Sequence, residues 1–227
     1  GEVKCLGAYN EYVFADEKIC YKATQRFDLQ KAVTLPLAST TAWLELFSSR
    51  CLNIKGFADK SPVLVWADLV SMTLLLTICS PRPFETCKTI GADWTLDYRD
   101  REAAEKVKAE IPSISRIFSC IVNETSLTQE CRTIRRDGGV LCTARPGKAN
   151  TENVATGVKV TNVLVLTSLL KNHYHKDMKF LASTKVRELL HMPYSKLPEW
   201  LESGKMIPSV PHQIPGGLSA VKESFQM

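Results

Sequence analysis

The chain has 227 residues, 44% of them hydrophobic, which suffices to bury a full core in one domain, or in one domain with a partial second. Its net charge of +5 is spread over interleaved basic and acidic residues with no long basic block, which excludes an obvious nucleic-acid footprint. The longest apolar run, residues 63–79, is interrupted by Asp68, Ser71 and Thr73 and does not read as a membrane span; no stretch reads as a signal peptide, so a cytoplasmic location is expected.

In chain order, residues 7–22 alternate as a strand through Tyr9, Tyr12, Val13 and Phe14, turn at Ala15-Asp16-Glu17 and resume at Ile19-Cys20-Tyr21. Helical spacing over 29–52, interrupted by Pro36, predicts two helices in series, one ending near Leu35 and one over 40–49. Strands follow at 63–66 and 73–79, then a helix over 83–90 stopped by Gly91 and a short strand over 94–98. A charged helix over 101–109 stops at Pro112. Beyond it come a strand at 117–122, a helix at 126–134, a turn at 135–139 and a strand at 140–144. This alternation predicts an α/β fold with an open, mostly parallel sheet covered on both faces. Past Pro146 the pattern loosens. Residues 158–170 are a β-branched run, 185–190 and 196–201 are predicted helices, and 207–214, with Pro208, Pro211 and the following Pro215, is predicted as an extended edge segment.

Three local features bear on chemistry. Residues 63–67 read as the first strand of a dinucleotide-binding unit, yet Asp68-Leu69-Val70-Ser71-Met72 holds no glycine and at most one helical turn before the next strand. A βαβ crossover takes a dozen or more residues, and in dinucleotide-binding folds those residues are a glycine-rich turn and a helix. The eight cysteines include no Cys-x-x-Cys pair, Cys120, Cys131 and Cys142 being spaced by eleven, and are read as reduced, buried thiols. His173 and His175 could share a strand face as metal ligands, but their polar neighbours favour a solvated loop, and no metal is expected.

Several segments taken together resemble the medium-chain dehydrogenase/reductase superfamily, specifically its trans-acting enoyl reductases associated with fungal polyketide synthases. They are Gly7-Ala8-Tyr9-Asn10-Glu11-Tyr12-Val13, Thr34-Leu35-Pro36-Leu37 with Thr41-Ala42-Trp43-Leu44, Cys79-Ser80-Pro81-Arg82, Gly91-Ala92-Asp93, Asp97-Tyr98-Arg99-Asp100 and Pro215-Gly216-Gly217-Leu218. The resemblance implies a Rossmann-like sheet with a partial β-rich substrate domain formed by the two chain ends. It divides the chain into a substrate-domain remnant with linking helices at 1–50, a degenerate nucleotide-binding domain at 51–150, and the last Rossmann elements with the return to the substrate domain at 151–227. Against the family pattern, strands before Gly1, the glycine-rich loop and helix between Ala67 and Thr73, and a final strand after Met227 have no counterpart.

By the same resemblance, Ser80 and Arg82 meet the 2′-phosphate of NADPH and Tyr98 lies near that end, where a dianion wants an arginine fork and hydroxyl donors. The alternative is a solvated surface turn. Thr41 corresponds to a residue near the nicotinamide and the acyl chain, or else it caps its own helix. Three functions remain open. One is a non-redox step such as cyclisation, of pericyclase type, on a polyene or polyketide-derived substrate without any cofactor, using Tyr98, Thr41, Thr143 and Arg145 as donors at strand ends; Thr143 and Arg145 could equally just end a strand. The second is an NADPH-dependent trans-acting enoyl reductase. The third is a non-catalytic partner that docks on a polyketide synthase or forms a homodimer. The missing loop places the non-redox reading first.

Overall fold

Apolar side chains alternate along the central strands between two faces, and that alternation builds the molecule. In a computed structural model, residues 9–24, 27–56, 58–66, 75–89, 91–145, 147, 151, 154–175 and 178–226 are described. Two short helices, α1 (Leu29–Ala32) and α2 (Leu35–Phe47), precede strand β1 (Val63–Trp66). Then come β2 (Leu75–Cys79), α3 (Phe84–Thr89), β3 (Ala92–Asp97), α4 (Ala103–Glu110), β4 (Arg116–Ser119), α5 (Glu124–Thr133), β5 (Gly139–Thr143) and β6 (Val158–Asn162). A ribbon of β7 (His173–His175) and β8 (Met178–Phe180), a long α6 (Thr184–Glu202) and a short α7 (Val221–Ser224) complete it.

The first six strands form one sheet in the order β3-β2-β1-β4-β5-β6, every pair parallel. Val63, Val65, Cys79, Phe118 and Cys142 point into one core layer with α2, α3 and α6; Leu64, Trp66, Leu76, Ile78, Ile117 and Leu141 point into the other with α4 and α5. Both faces are dry, as an all-parallel sheet requires, and this is the Rossmann-like α/β architecture expected. Gly139 starts β5 with its Cα against a neighbouring strand; a Cβ there would stand 2.4 Å from the Ser115 carbonyl oxygen, so only glycine lets β5 enter the sheet. No helix among the described residues is long and apolar enough to cross a membrane.

Several local expectations need correction. Residues 9–14 form no strand; Tyr12 and Phe14 are each 87% exposed and find no neighbouring strand to pair with, and Glu17–Ile19 is a 3₁₀ turn. Gly7 and Ala8 lie outside the described residues, as do Ala67 to Leu74, so Thr73 and the five residues before it are not placed. The helical break near Pro36 falls earlier, at Val33 and Thr34, because proline fits the first turn of α2, where its missing N–H costs nothing. His173 and His175 belong to an antiparallel ribbon instead of a solvated loop, and residues 207–214 pair with no strand.

The two helices predicted at 185–190 and 196–201 are one. Pro193 and Pro198 both lie inside α6, where proline ordinarily breaks a helix by orphaning the carbonyl four residues back. For Pro193 that carbonyl belongs to Leu189, and the indole N–H of Trp43 on α2 donates to it at 3.1 Å. Beside it the Thr40 and Tyr194 hydroxyls meet at 2.9 Å. The proline therefore turns a helix defect into an interhelix hydrogen bond. We expect Trp43→Phe to cost about 1–3 kcal/mol beyond the lost packing by leaving the Leu189 carbonyl unsatisfied, and Pro193→Ala in that background to recover part of it by restoring the N–H. Chemical denaturation of the two single variants and the double variant tests this; purely additive losses would refute it.

Candidate functional site at the carboxyl edge of the sheet

All six parallel strands end on one edge. The strand order reverses around β1, with β2 and β3 to one side and β4, β5 and β6 to the other. Open α/β sheets bind ligands in the crevice above such a switch point. Here it lies above Trp66 and Ser119, which are register partners, with the Cys120 N–H donating to the Trp66 carbonyl at 3.2 Å.

On the β2–β3 side, Ser80 and Arg82 follow the last residue of β2 and Tyr98 follows the last residue of β3. The Tyr98 N–H donates to the Cys79 carbonyl at 3.1 Å, so the two strand ends are stitched together. Arg82 is exposed and forms no ion pair among the described residues. The Tyr98 ring is half-exposed, and the Arg99 guanidinium lies 5.7 Å from its centre while gripping Asp97 at 2.9 Å. That fork holds the Asp97 carboxyl below its usual range. One uncommitted arginine, a hydroxyl pair and a neutralised carboxylate suit a small dianion at this end.

The other predicted residues do not join them. Thr143 ends β5, four strand spacings or about 19 Å from the Tyr98 side of the sheet. Its side chain is fully buried, and its hydroxyl donates to the carbonyls of Arg145 and Thr161 at 2.9 and 3.3 Å. It shapes the strand end and offers no donor to the crevice. Arg145 is exposed beside it. Thr41 lies mid-way along α2, not at its start, and its hydroxyl donates back to the Leu37 carbonyl at 2.9 Å. The four proposed donors therefore form no single cluster.

Reading the sequence missed the polar groups under the switch point. Ser119 Oγ donates to Glu130 Oε1 at 2.8 Å, and both residues are fully buried. Burial pushes the Glu130 carboxyl up to about 8, against the pull of the Ser119 and Ser126 hydroxyls, and its second oxygen has no partner. Between them the chain turns at Val122, whose φ of 50° is strained for a β-branched residue. It then enters α5 through a reciprocal cap of Asn123 and Ser126. Glu130 was findable: Leu127, Glu130, Cys131 and Ile134 follow helical spacing and so share one face. A second buried acid, Glu45 on α2, has both oxygens unpartnered and is driven well above the carboxylate range by burial. Among the described residues, no group of three His, Cys, Asp or Glu side chains could hold a metal ion.

No family model matches the chain. It is 24% identical over 242 residues to a zinc-type alcohol dehydrogenase-like protein of Schizosaccharomyces pombe, covering 96% of this chain and 68% of that protein. It is 30% identical over 162 residues to the trans-enoyl reductase pvhC of Talaromyces variabilis, covering 63% of this chain and 45% of that enzyme. Its fold is shared with an alcohol dehydrogenase superfamily protein from Novosphingobium aromaticivorans, with a TM-score of 0.64 at 14% identity over 89% of this chain and 60% of that one. The chain thus spans from under half to about two thirds of the length of these proteins. The resemblance to trans-enoyl reductases and their alcohol-dehydrogenase-like relatives, read from the motifs, holds along the chain.

Glu130 and Glu45 bind a proton more tightly folded than unfolded. Between about 4.5 and 8 the unfolded chain gives up the Glu130 proton and the folded one keeps it. Stability should therefore be greatest at the acid end of that window and fall as pH rises through it, by up to about 1.4 kcal/mol per pH unit per group. Glu130→Gln, which keeps the shape and removes the titration, should flatten the decline measured by urea denaturation across that range. Curves parallel to the unmodified protein would refute the assignment.

Proposed function

We propose that the protein is an NADPH-dependent oxidoreductase of enoyl-reductase type, working on an unsaturated polyketide-derived thioester supplied by a polyketide synthase acting beside it. The observation that carries this reading is the pairing of Ser80, Arg82 and Tyr98 at two adjacent strand ends, beside the switch point of a sheet whose relatives are named as reductases and dehydrogenases. Arg82 would fork onto the 2′-phosphate, with the Ser80 and Tyr98 hydroxyls as further donors. The bound nicotinamide supplies the hydride. What the chain itself contributes is orientation of that cofactor over the crevice and a dry floor built by Trp66 and the neutral Ser119–Glu130 pair.

A second reading is a non-redox step, such as cyclisation of a polyene, by a protein that has dropped the dinucleotide. One observation favours it. Only eight residues separate Trp66 from Leu75 although β1 and β2 are parallel neighbours, fewer than the dozen or more that a helical crossover takes. Loss of the phosphate loop is part of this reading, and preorganisation in the vacated crevice would supply its catalysis. The dispersed positions of Thr41, Tyr98, Thr143 and Arg145 weaken it, which is why the reductase is placed first.

Calorimetry with NADPH, NADH and adenosine 2′,5′-bisphosphate separates the two. The reductase reading expects NADPH to bind at micromolar concentration and more tightly than NADH. Arg82→Ala should weaken NADPH and the bisphosphate by about tenfold or more while leaving NADH little changed. A folded protein that binds none of the three retires hydride transfer and leaves the cyclisation reading.

A further inference from the structure

Two thiols bracket the turn that carries Ser80 and Arg82. Cys79 is the last residue of β2 and Cys87 the fourth of α3, and their sulfurs lie 3.9 Å apart, with either thiol placed to donate to the other. Both are buried, at 4% and 1% exposure, and neither is in a disulfide. Residues 80–86 join them, and Pro81, Arg82, Glu85 and Thr86 form the exposed side of that connection. Its backbone is held at both ends. The Tyr98 N–H donates to the Cys79 carbonyl at 3.1 Å, the Phe84 N–H to the Pro81 carbonyl at 3.2 Å, and the Cys87 N–H to the Pro83 carbonyl at 2.8 Å.

We propose that Cys79 and Cys87 are an oxidisable pair that closes to a reversible disulfide between β2 and α3, and that closure weakens the grip of the intervening turn on a phosphorylated nucleotide. The sulfurs are already in contact, so the second thiol stands where a first oxidised sulfur would need it. A disulfide bond is about 2 Å long, and closure therefore draws the sulfurs inward by roughly the same amount. The strand does not yield that distance. β2 is hydrogen-bonded to β1 on one side and β3 on the other, whereas α3 is six residues long and follows an exposed turn. The movement falls on α3 and on residues 80–83, and so shifts Arg82 relative to Tyr98, which stays on the end of β3. The weakened grip, unlike the disulfide itself, rests on the reading of Ser80 and Arg82 as phosphate contacts.

The steps balance with a hydroperoxide as oxidant. One sulfur gives up its proton and attacks a peroxide oxygen, the S–O bond forms as the O–O bond breaks, and the leaving alkoxide takes up the proton. That sulfur is oxidised by two electrons to a sulfenic acid and the peroxide is reduced to an alcohol, or to water when the oxidant is hydrogen peroxide. The second sulfur then attacks the sulfenic sulfur, the S–S bond forms, and hydroxide departs with the second thiol's proton as water. The balance is the same whichever sulfur reacts first. A dithiol reductant reverses the bond by exchange, being oxidised to its own disulfide.

The test is to expose the reduced, folded protein to hydrogen peroxide, block remaining thiols with N-ethylmaleimide, and map tryptic peptides without reduction. Trypsin spares the Arg82–Pro83 bond, so both cysteines fall in the peptide of residues 61–88, which holds no other cysteine. The expected product is that peptide lighter by two hydrogen atoms and without maleimide, regaining two thiols with dithiothreitol. Cys79 and Cys87 both recovered as maleimide adducts while the exposed Cys20 oxidises would overturn the disulfide, as would a sulfinic acid on either with no cross-link. The mapping of the unsubstituted protein decides this even if a variant folds poorly. Calorimetry with adenosine 2′,5′-bisphosphate should then show binding weakened about threefold or more by oxidation and restored by dithiothreitol. In Cys87→Ser, peroxide should leave the affinity as it was. Equal affinities of the reduced and cross-linked protein would overturn the coupling. A reduced protein that does not bind the bisphosphate would sink the reading of Ser80 and Arg82 and the coupling with it, whereas the disulfide stands or falls on the mapping alone.

Discussion

Trp66 closes β1 and Leu75 opens β2, its parallel neighbour, with eight residues between them. Eight residues reach at most about 28 Å, comfortably more than the roughly 13 Å needed to run back along a four-residue strand. The pairing can therefore close, and once it does β1 becomes the centre from which the sheet grows in both directions. Everything functional follows from that. The carboxyl ends share one edge, the order reverses over Trp66 and Ser119, and the Ser80–Tyr98 group comes to one side of the reversal.

The helical layer on the α2 face depends on a different economy of backbone groups. α6 runs nineteen residues with two prolines, and the carbonyl that Pro193 frees is taken by an indole from α2. Trp43 stacks in turn against Phe47 and Trp200, with ring centres 4.2 and 5.9 Å apart. The Arg187–Asp16 ion pair at 2.7 Å holds the 3₁₀ turn at Glu17–Ile19 against the same helix. A proline that would break an isolated helix here selects one partner for it, since only a donor of indole reach completes the bond.

Elements carried by local rules were legible in the sequence. The strands at 63–66, 75–79 and 139–143 are short apolar runs between turn signals, and Gly91, in positive φ at 108°, stands where a helix must stop. The open parallel sheet followed from the alternation of strands and helices, and its Rossmann-like character from the motif resemblance. Errors gathered where tertiary partners decide. Tyr12, Val13 and Phe14 alternate as a strand would, but alternation does not supply a neighbour. The predicted gap between 190 and 196 is absent because Trp43 on α2 bonds the Leu189 carbonyl, four residues behind Pro193, and the sequence does not show that partner. At the candidate site, Arg82 and Tyr98 stand just past strand ends, where their motifs put them; the Thr143 hydroxyl is spent on backbone carbonyls, and Glu130 is marked in the sequence only by its place on the apolar face of α5. A strand end announces itself in sequence; whether its hydroxyl is already committed does not.

The two buried glutamates also alter how the folded molecule behaves as an electrolyte. Counted with every acid ionised, the chain carries +5 at pH 7, but with Glu130, raised to about 8, protonated the native form carries roughly +6, and burial of Glu45 pushes the charge in the same direction. Folding near neutrality is therefore a proton-uptake reaction in which the chain draws protons from its buffer. The heat of unfolding must then contain a contribution from the buffer's own ionisation, and it will differ between phosphate and an amine buffer although the protein's contacts are the same in both.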